Sequence, residues 1–103
     1  MYKVLKRDGI TVEFDISKIS AAMVKAFEAL EKQYHPTVIN MLALQVSADF
    51  EAKIVDGCIA VEDIQDSVEK ILSESGYSDV AKAYILYRKQ REKVRNVNSA
   101  LLN

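Results

Sequence analysis

The sequence predicts an α+β fold of four helices and three short strands, and three observations carry that reading. Residues 2–8 and 11–16 alternate on either side of Asp8-Gly9, the pattern of a β-hairpin. Four later segments carry apolar residues at helical spacing, separated by Pro36, Asp56-Gly57 and Gly76. Between the second and third of these lies Cys58-Ile59-Ala60, short and β-prone. With 103 residues there is material for one core and one domain.

In chain order, Asp8-Gly9 predicts a two-residue turn, since Gly accepts positive φ without a Cβ clash. Val12, Phe14 and Ile16 then face one way, and Thr11, Glu13 and Asp15 the other. Lys6 and Arg7 fall on opposite faces of the first arm. Asp15 or Ser17 caps a first helix whose Ile19, Met23, Ala26, Phe27 and Leu30 form a stripe that continues to about Lys32. Pro36 opens a second helix, from Thr37 to near Ile54, with Val38, Met41, Leu42 and Val46 toward the core. It is apolar almost all round, which predicts a central place. A third helix starts near Glu62 and carries Ile64, Val68, Ile71 and Leu72. Ser75-Gly76-Tyr77 ends it, and Ser78 or Asp79 caps a last helix bearing Val80, Ala83, Tyr84 and Tyr87.

Composition excludes several classes of function. A formal net charge of -1 argues against a general affinity for nucleic acid backbone. No apolar run approaches the roughly 20 residues needed to span a bilayer. The first residues place Lys3, Lys6 and Arg7 inside a patterned strand, unlike a signal peptide, so a cytoplasmic location is expected. Cys58 is the single cysteine, which rules out an internal disulfide or a zinc ribbon, and it reads as a small buried hydrophobe. His35, the single histidine, reads as an exposed connector residue. No catalytic residues and no metal ligands are expected, because no nucleophile, base or ligand set can be assembled. With Gly9, Gly57 and Gly76 as the only glycines, neither a P-loop nor a dinucleotide fingerprint can be written.

The remaining candidate chemistry is cationic. Lys6, Arg7 and Lys18 lie near the start, and Arg88, Lys89 and Arg91 lie in the last helix. If the sheet covers one end of the bundle the two groups converge. Phosphate then suits the site, with Arg as a fork and Lys as a point charge. The first helix, near Lys18, is expected to add unpaired N–H groups at its positive end. Charges on a strand or helix are commonly solvated surface, so residue by residue the reading ends at a small α+β domain with a possible anion site.

Val4-x-Lys6-Arg7-Asp8-Gly9, Phe14-Asp15-x-x-Lys18-Ile19 and Ala26 at the start resemble the ATP-cone domain, as do Ala83-Tyr84-x-x-Tyr87-Arg88-x-x-Arg91 at the far end. The likeness covers residues 2–95 in order. It implies a four-helix bundle capped by a small three-stranded sheet, with residues 96–103 beginning a linker to a catalytic domain. It also implies a site for ATP or dATP, accompanied by Mg2+, lined by Val4, Lys6 and Arg7, with Lys6 on phosphate. Val12, Glu13 and Asp15 would lie near base and sugar, and Lys18 and Ile19 at phosphate and adenine edge. Tyr87, Arg88 and Lys89 would approach from the last helix. Val61 and Gln65 stand where some family members have Thr and His.

ATP-cones regulate ribonucleotide reductases, and the resemblance implies that ATP activates and dATP inhibits an attached enzyme by altering oligomerisation or catalytic-domain mobility. The run after Arg95 looks most like the anaerobic, glycyl-radical ribonucleoside triphosphate reductase. The expected partners are adenine nucleotides, the catalytic domain of that parent and further copies of it, with no membrane and no direct nucleic acid binding. The alternatives are the cone of a nucleotide-sensing transcriptional repressor, or a non-catalytic protein or nucleic acid interaction module that uses the basic last helix.

Overall fold

The computed structural model describes residues 2–102, with side chains through Lys93. Its elements are β1 (Lys3–Leu5), β2 (Thr11–Glu13), α1 (Ile16–Ala29), α2 (Pro36–Phe50), a 3₁₀ turn (Glu51–Lys53), β3 (Cys58–Ala60), α3 (Val61–Glu74) and α4 (Ser78–Leu102). The α+β class holds, with four helices and a three-stranded mixed sheet. β1 is central. It pairs antiparallel with β2, Val4 opposite Val12, and parallel with β3, Val4 opposite Ile59.

The two Asp-Gly pairs fold differently. Asp56 and Gly57 both take positive φ, 52° and 72°, and Val55 and Cys58 exchange both backbone hydrogen bonds around them. This is the two-residue primed turn. The first hairpin instead has a three-residue loop, Arg7-Asp8-Gly9. Gly9 N–H donates to the Lys6 carbonyl, and Lys6 N–H donates to the Ile10 carbonyl. Only Gly9 is left-handed, at φ 87°, while the Asp8 carboxylate accepts from Ile10 N–H at 3.0 Å. That side-chain bond and the wider loop lift Arg7 out of the strand to the hairpin tip.

Helix ends follow local chemistry. Asp15 caps α1, accepting from Ser17 N–H at 3.0 Å and Ser17 Oγ at 2.6 Å. α1 stops at Ala29, short of the expected Lys32. There the amides of Glu31 and Lys32 turn back to the carbonyls of Glu28 and Phe27, with Glu31 left-handed at φ 53°. Gly76 closes α3 in the same way. Pro36 begins α2, and the exposed His35 caps it, Nδ1 accepting from Thr37 N–H at 3.1 Å. Neither Ser78 nor Asp79 caps α4. Both lie inside it, because the Tyr77 carbonyl already accepts its first helical bond from Ala81.

Each helix packs on the next and α4 closes onto α1, a ring of four. Met23, Phe27, Leu42, Val46, Phe50, Val68, Leu72 and Val80 fill it, each at most 1% exposed. The ring gives every helix an outer face, so α2 is not central. Met41, expected inside, is 50% exposed, and the core face is instead Ile39, Leu42, Ala43, Val46 and Phe50. α2 also ends at Phe50 rather than near Ile54. Tyr2 stacks on Phe14 at 4.6 Å between centroids, and both meet Phe50 edge-on, which docks the sheet on α2. Cys58, on an edge strand, is half-buried. No helix among the described residues is long and apolar enough to cross a membrane.

Candidate anion-binding site

Between the sheet and the faces of α1, α3 and α4 lies a cavity of about 830 Å³, within the roughly 300–1,000 Å³ range of small-molecule sites. Sequence spacing explains its walls. β2 runs through Asp15 directly into α1, which presents Lys18, Ala22 and Lys25 on one face. β3 runs without a loop into α3, which presents Val61, Ile64, Gln65 and Val68. α4 presents Tyr84, Tyr87, Arg88 and Arg91. Within each helix these positions lie three, four and seven residues apart, one face of a helix.

The structure brings nearly all the sequence-predicted residues to this cavity. Val4, Lys6, Arg7, Val12, Glu13, Asp15, Lys18, Ile19, Val61, Gln65, Tyr87 and Arg88 line it. Lys89 does not, and it is exposed. One step beyond Arg88 rotates it about 100° around α4, away from the opening. Five wall residues carrying chemistry lie outside the expected set: Asp8, Lys25, Tyr84, Glu92 and Arg91, the last noted only as a basic residue of the closing helix. Lys25 was legible in principle, seven residues after Lys18 on the same face. Glu92 was not, because its role depends on a distant partner.

That partner is Arg7. Its Nε lies 3.2 Å from Glu62 at the start of α3, and one terminal nitrogen lies 2.6 Å from Glu92 on α4. Arg88 is likewise engaged, with Glu69 at 2.7 Å and Asp66 at 3.3 Å. Burial works against the Arg88 charge, but the hydrogen bonds to Glu69 and Asp66 outweigh it and hold its pKa above the ordinary value. Among the described residues, Lys6, Lys18, Lys25 and Arg91 have no carboxylate within ion-pair distance. Six cationic wall residues (Lys6, Arg7, Lys18, Lys25, Arg88, Arg91) face four acidic ones (Asp8, Glu13, Asp15, Glu92), an excess of two positive charges.

Two further features shape the site. Lys25 Nζ lies 5.5 Å from the Tyr87 ring centroid and the Arg91 guanidinium lies 5.9 Å from it, so the ring gathers two cations. Gln65 Oε1 is buried without a hydrogen-bond partner, an acceptor left open in the cavity wall. The positive end of α1 contributes less than expected. Ser17 N–H donates to the Asp15 carboxylate and Lys18 N–H to the Asp15 carbonyl. Those hydrogen bonds from Ser17, side chain first and backbone second, hold Asp15 below the usual carboxylate range. Tyr84, at the apolar floor, has its hydroxyl pushed up to about 12 by burial and stays neutral.

A family model of the ATP cone domain matches residues 2–93. The chain is 42% identical over 98 residues to the ribonucleoside-diphosphate reductase subunit alpha of Chlamydia pneumoniae, an alignment covering 89% of this chain and 9% of that one. It is 40% identical over 99 residues to a vitamin B12-dependent ribonucleoside-diphosphate reductase of Mycobacterium tuberculosis, covering 96% and 14%. It is 33% identical over 118 residues to the anaerobic ribonucleoside-triphosphate reductase of Salmonella typhimurium, covering 97% and 16%. The chain therefore spans a small fraction of the length of these relatives.

Proposed function

The chain belongs to the ATP-cone family, and on that premise we propose that it binds ATP and dATP in the cavity between the sheet and α1, α3 and α4. The observation that carries the reading is the convergence of cations from the hairpin, α1 and α4 on one small-molecule-sized cavity. Lys6, half-buried in the wall and without a carboxylate partner among the described residues, is the principal phosphate ligand. Lys18 supports it from the first turn of α1. Val4, Val12 and Ile19 supply apolar surface for base and sugar, beside Glu13 and Asp15. The open Gln65 acceptor suits the amino edge of adenine, because a glutamine amide pairs bidentately with adenine N6 and N7. Mg2+ would arrive on the phosphates, since no cluster of three or more His, Cys, Asp or Glu is arranged for a metal among the described residues.

The regulated chemistry lies in an attached ribonucleotide reductase, cytoplasmic in setting, which ATP permits to turn over and dATP shuts down. The anaerobic triphosphate enzyme is the narrower form of this proposal, and one of the relatives is of that kind. ATP and dATP differ by one 2′-hydroxyl, whose hydrogen bond contributes roughly 0.5–1.5 kcal/mol, about a tenfold affinity difference at most. Affinity alone therefore switches incompletely. Sugar position must also alter a docking or assembly surface, since an effector shifts an equilibrium only through its preference between states.

Calorimetry with ATP and with dATP tests the reading. Saturable binding of both is expected, weakened by roughly ten- to a hundredfold in Lys6→Ala, the loss of a charged hydrogen bond. Absence of binding by the unsubstituted chain would sink it and favour an interaction module.

A further inference from the structure

We infer that Glu92 is a built-in competitor for the ligand's phosphates, and that filling the cavity releases the part of α4 beyond Arg88. This rests on the nucleotide reading above. Glu92 and Arg7 both line the cavity, and their 2.6 Å contact places a carboxylate against the guanidinium arm that faces the ligand space. A carboxylate and a phosphate oxygen ask the same thing of a guanidinium, a charge-assisted hydrogen bond. A triphosphate brings more charge and more oxygens, so it takes the arm that Glu92 holds. Glu62 does not stand in the way. Its oxygen sits on Nε, at 3.2 Å, and the residue lies outside the cavity wall. It therefore fixes the guanidinium plane while the other arm changes partner.

The consequence for α4 follows from what fastens it. Tyr84 is buried and Arg88 is pinned to α3 through Glu69 and Asp66. Residues 89–93 are exposed, and among the described residues the Arg7–Glu92 pair is the one ion pair joining them to the body. Exchange of Glu92 for phosphate at Arg7 turns cavity occupancy into freedom of the segment that continues toward Leu102. The hairpin tip thereby reports on the site to the far part of α4.

The test uses the 103-residue chain, calorimetry, and amide hydrogen exchange of residues 89–93. Glu92→Gln is expected to tighten ATP about two- to fivefold, the scale of an exposed ion pair. Glu62→Gln, the same charge change on the other arm, is expected to leave affinity within about twofold. ATP should speed exchange at 89–93 in the unsubstituted chain, and Glu92→Gln should show that faster exchange without ligand. Unchanged or weaker ATP binding in Glu92→Gln, equal tightening in Glu62→Gln, or slower exchange with ATP each overturns the inference. Inorganic triphosphate separates the two layers: tightening by Glu92→Gln for triphosphate, with no ATP binding, removes the nucleotide reading and keeps the competition.

Discussion

The core and the cavity share α1, α3 and α4, with α2 serving the core alone, yet they follow opposite rules. In the ring interior, Met23, Phe27, Leu42 and Leu72 are closed off from water, and the polar exceptions beside them are few: Ser67, which donates to Asp49 at 2.8 Å, and the unpartnered hydroxyl of Ser47. A few ångströms along the same helices, the wall holds cations without carboxylate partners, arginines held by acids, and an orphaned Gln65 acceptor. Burial of apolar area stabilises the first region, at about 25 cal/mol per Å². Concentrated like charge and an open acceptor weaken the second. The contrast separates what holds this protein together from the site proposed for its ligand, and substitutions on either side should fall into separate classes.

The largest expected effect is on the core side. Phe27→Ala, which removes a ring packed edge-on against Tyr77 at 5.3 Å, should cost about 3–5 kcal/mol of stability by denaturant unfolding. ATP affinity of the fraction that remains folded should be unchanged. Loss of binding in that folded fraction would show that core and cavity are coupled.

Asp15 sits on the border, since it caps α1 and lines the cavity. Asp15→Ala should lower stability by less than the core change does, through the loss of an N-cap. Its folded pKa is lowered, so its contribution is complete above the ordinary value of 3.8 and lost as pH falls through the lower folded value. Asp49, held low by Lys70 and Ser67, and Asp79, held low by Lys32, act in the same direction. Stability followed by chemical denaturation should therefore decline below about pH 4, and Asp15→Ala should flatten that decline. A decline of equal slope in the variant would remove Asp15 from the account.

The smallest stability effect and the sharpest contrast belong to Gln65→Leu. Removing an unpartnered buried acceptor should leave stability unchanged or raise it by up to about 1–2 kcal/mol, while ATP binding weakens. A variant that is both less stable and equally able to bind ATP would place Gln65 with the core.

Much of this was legible because it is local. The Asp15 cap, the Pro36 start, the Gly76 stop and the hairpin each depend on a few neighbouring residues, and each occurs where expected. The structure departs from expectation where one local pattern admits two solutions. Asp8-Gly9 and Asp56-Gly57 are the same dipeptide, but the first takes a wider loop with Asp8 bonded to Ile10, and the second the tight primed turn. Met41 faces outward against expectation because α2 is apolar on nearly every side, so periodicity alone does not select its inner face.

By itself the sequence determined the order and type of the elements, most of the residues that line the cavity, and a likeness to ATP-cones that the family match over residues 2–93 bears out. Helical period and capping chemistry act within a turn or two of chain, so they can be read without a fold. Only the tertiary structure decided that β3 joins β1 in parallel, that Lys89 turns away while Lys25 and Arg91 each approach the Tyr87 ring, and that Arg7 is held by Glu62 and Glu92. Those outcomes rest on distances between segments far apart in the chain. Such distances exist only once the ring of helices has closed, because Coulomb and hydrogen-bond energies depend on separations of a few ångströms.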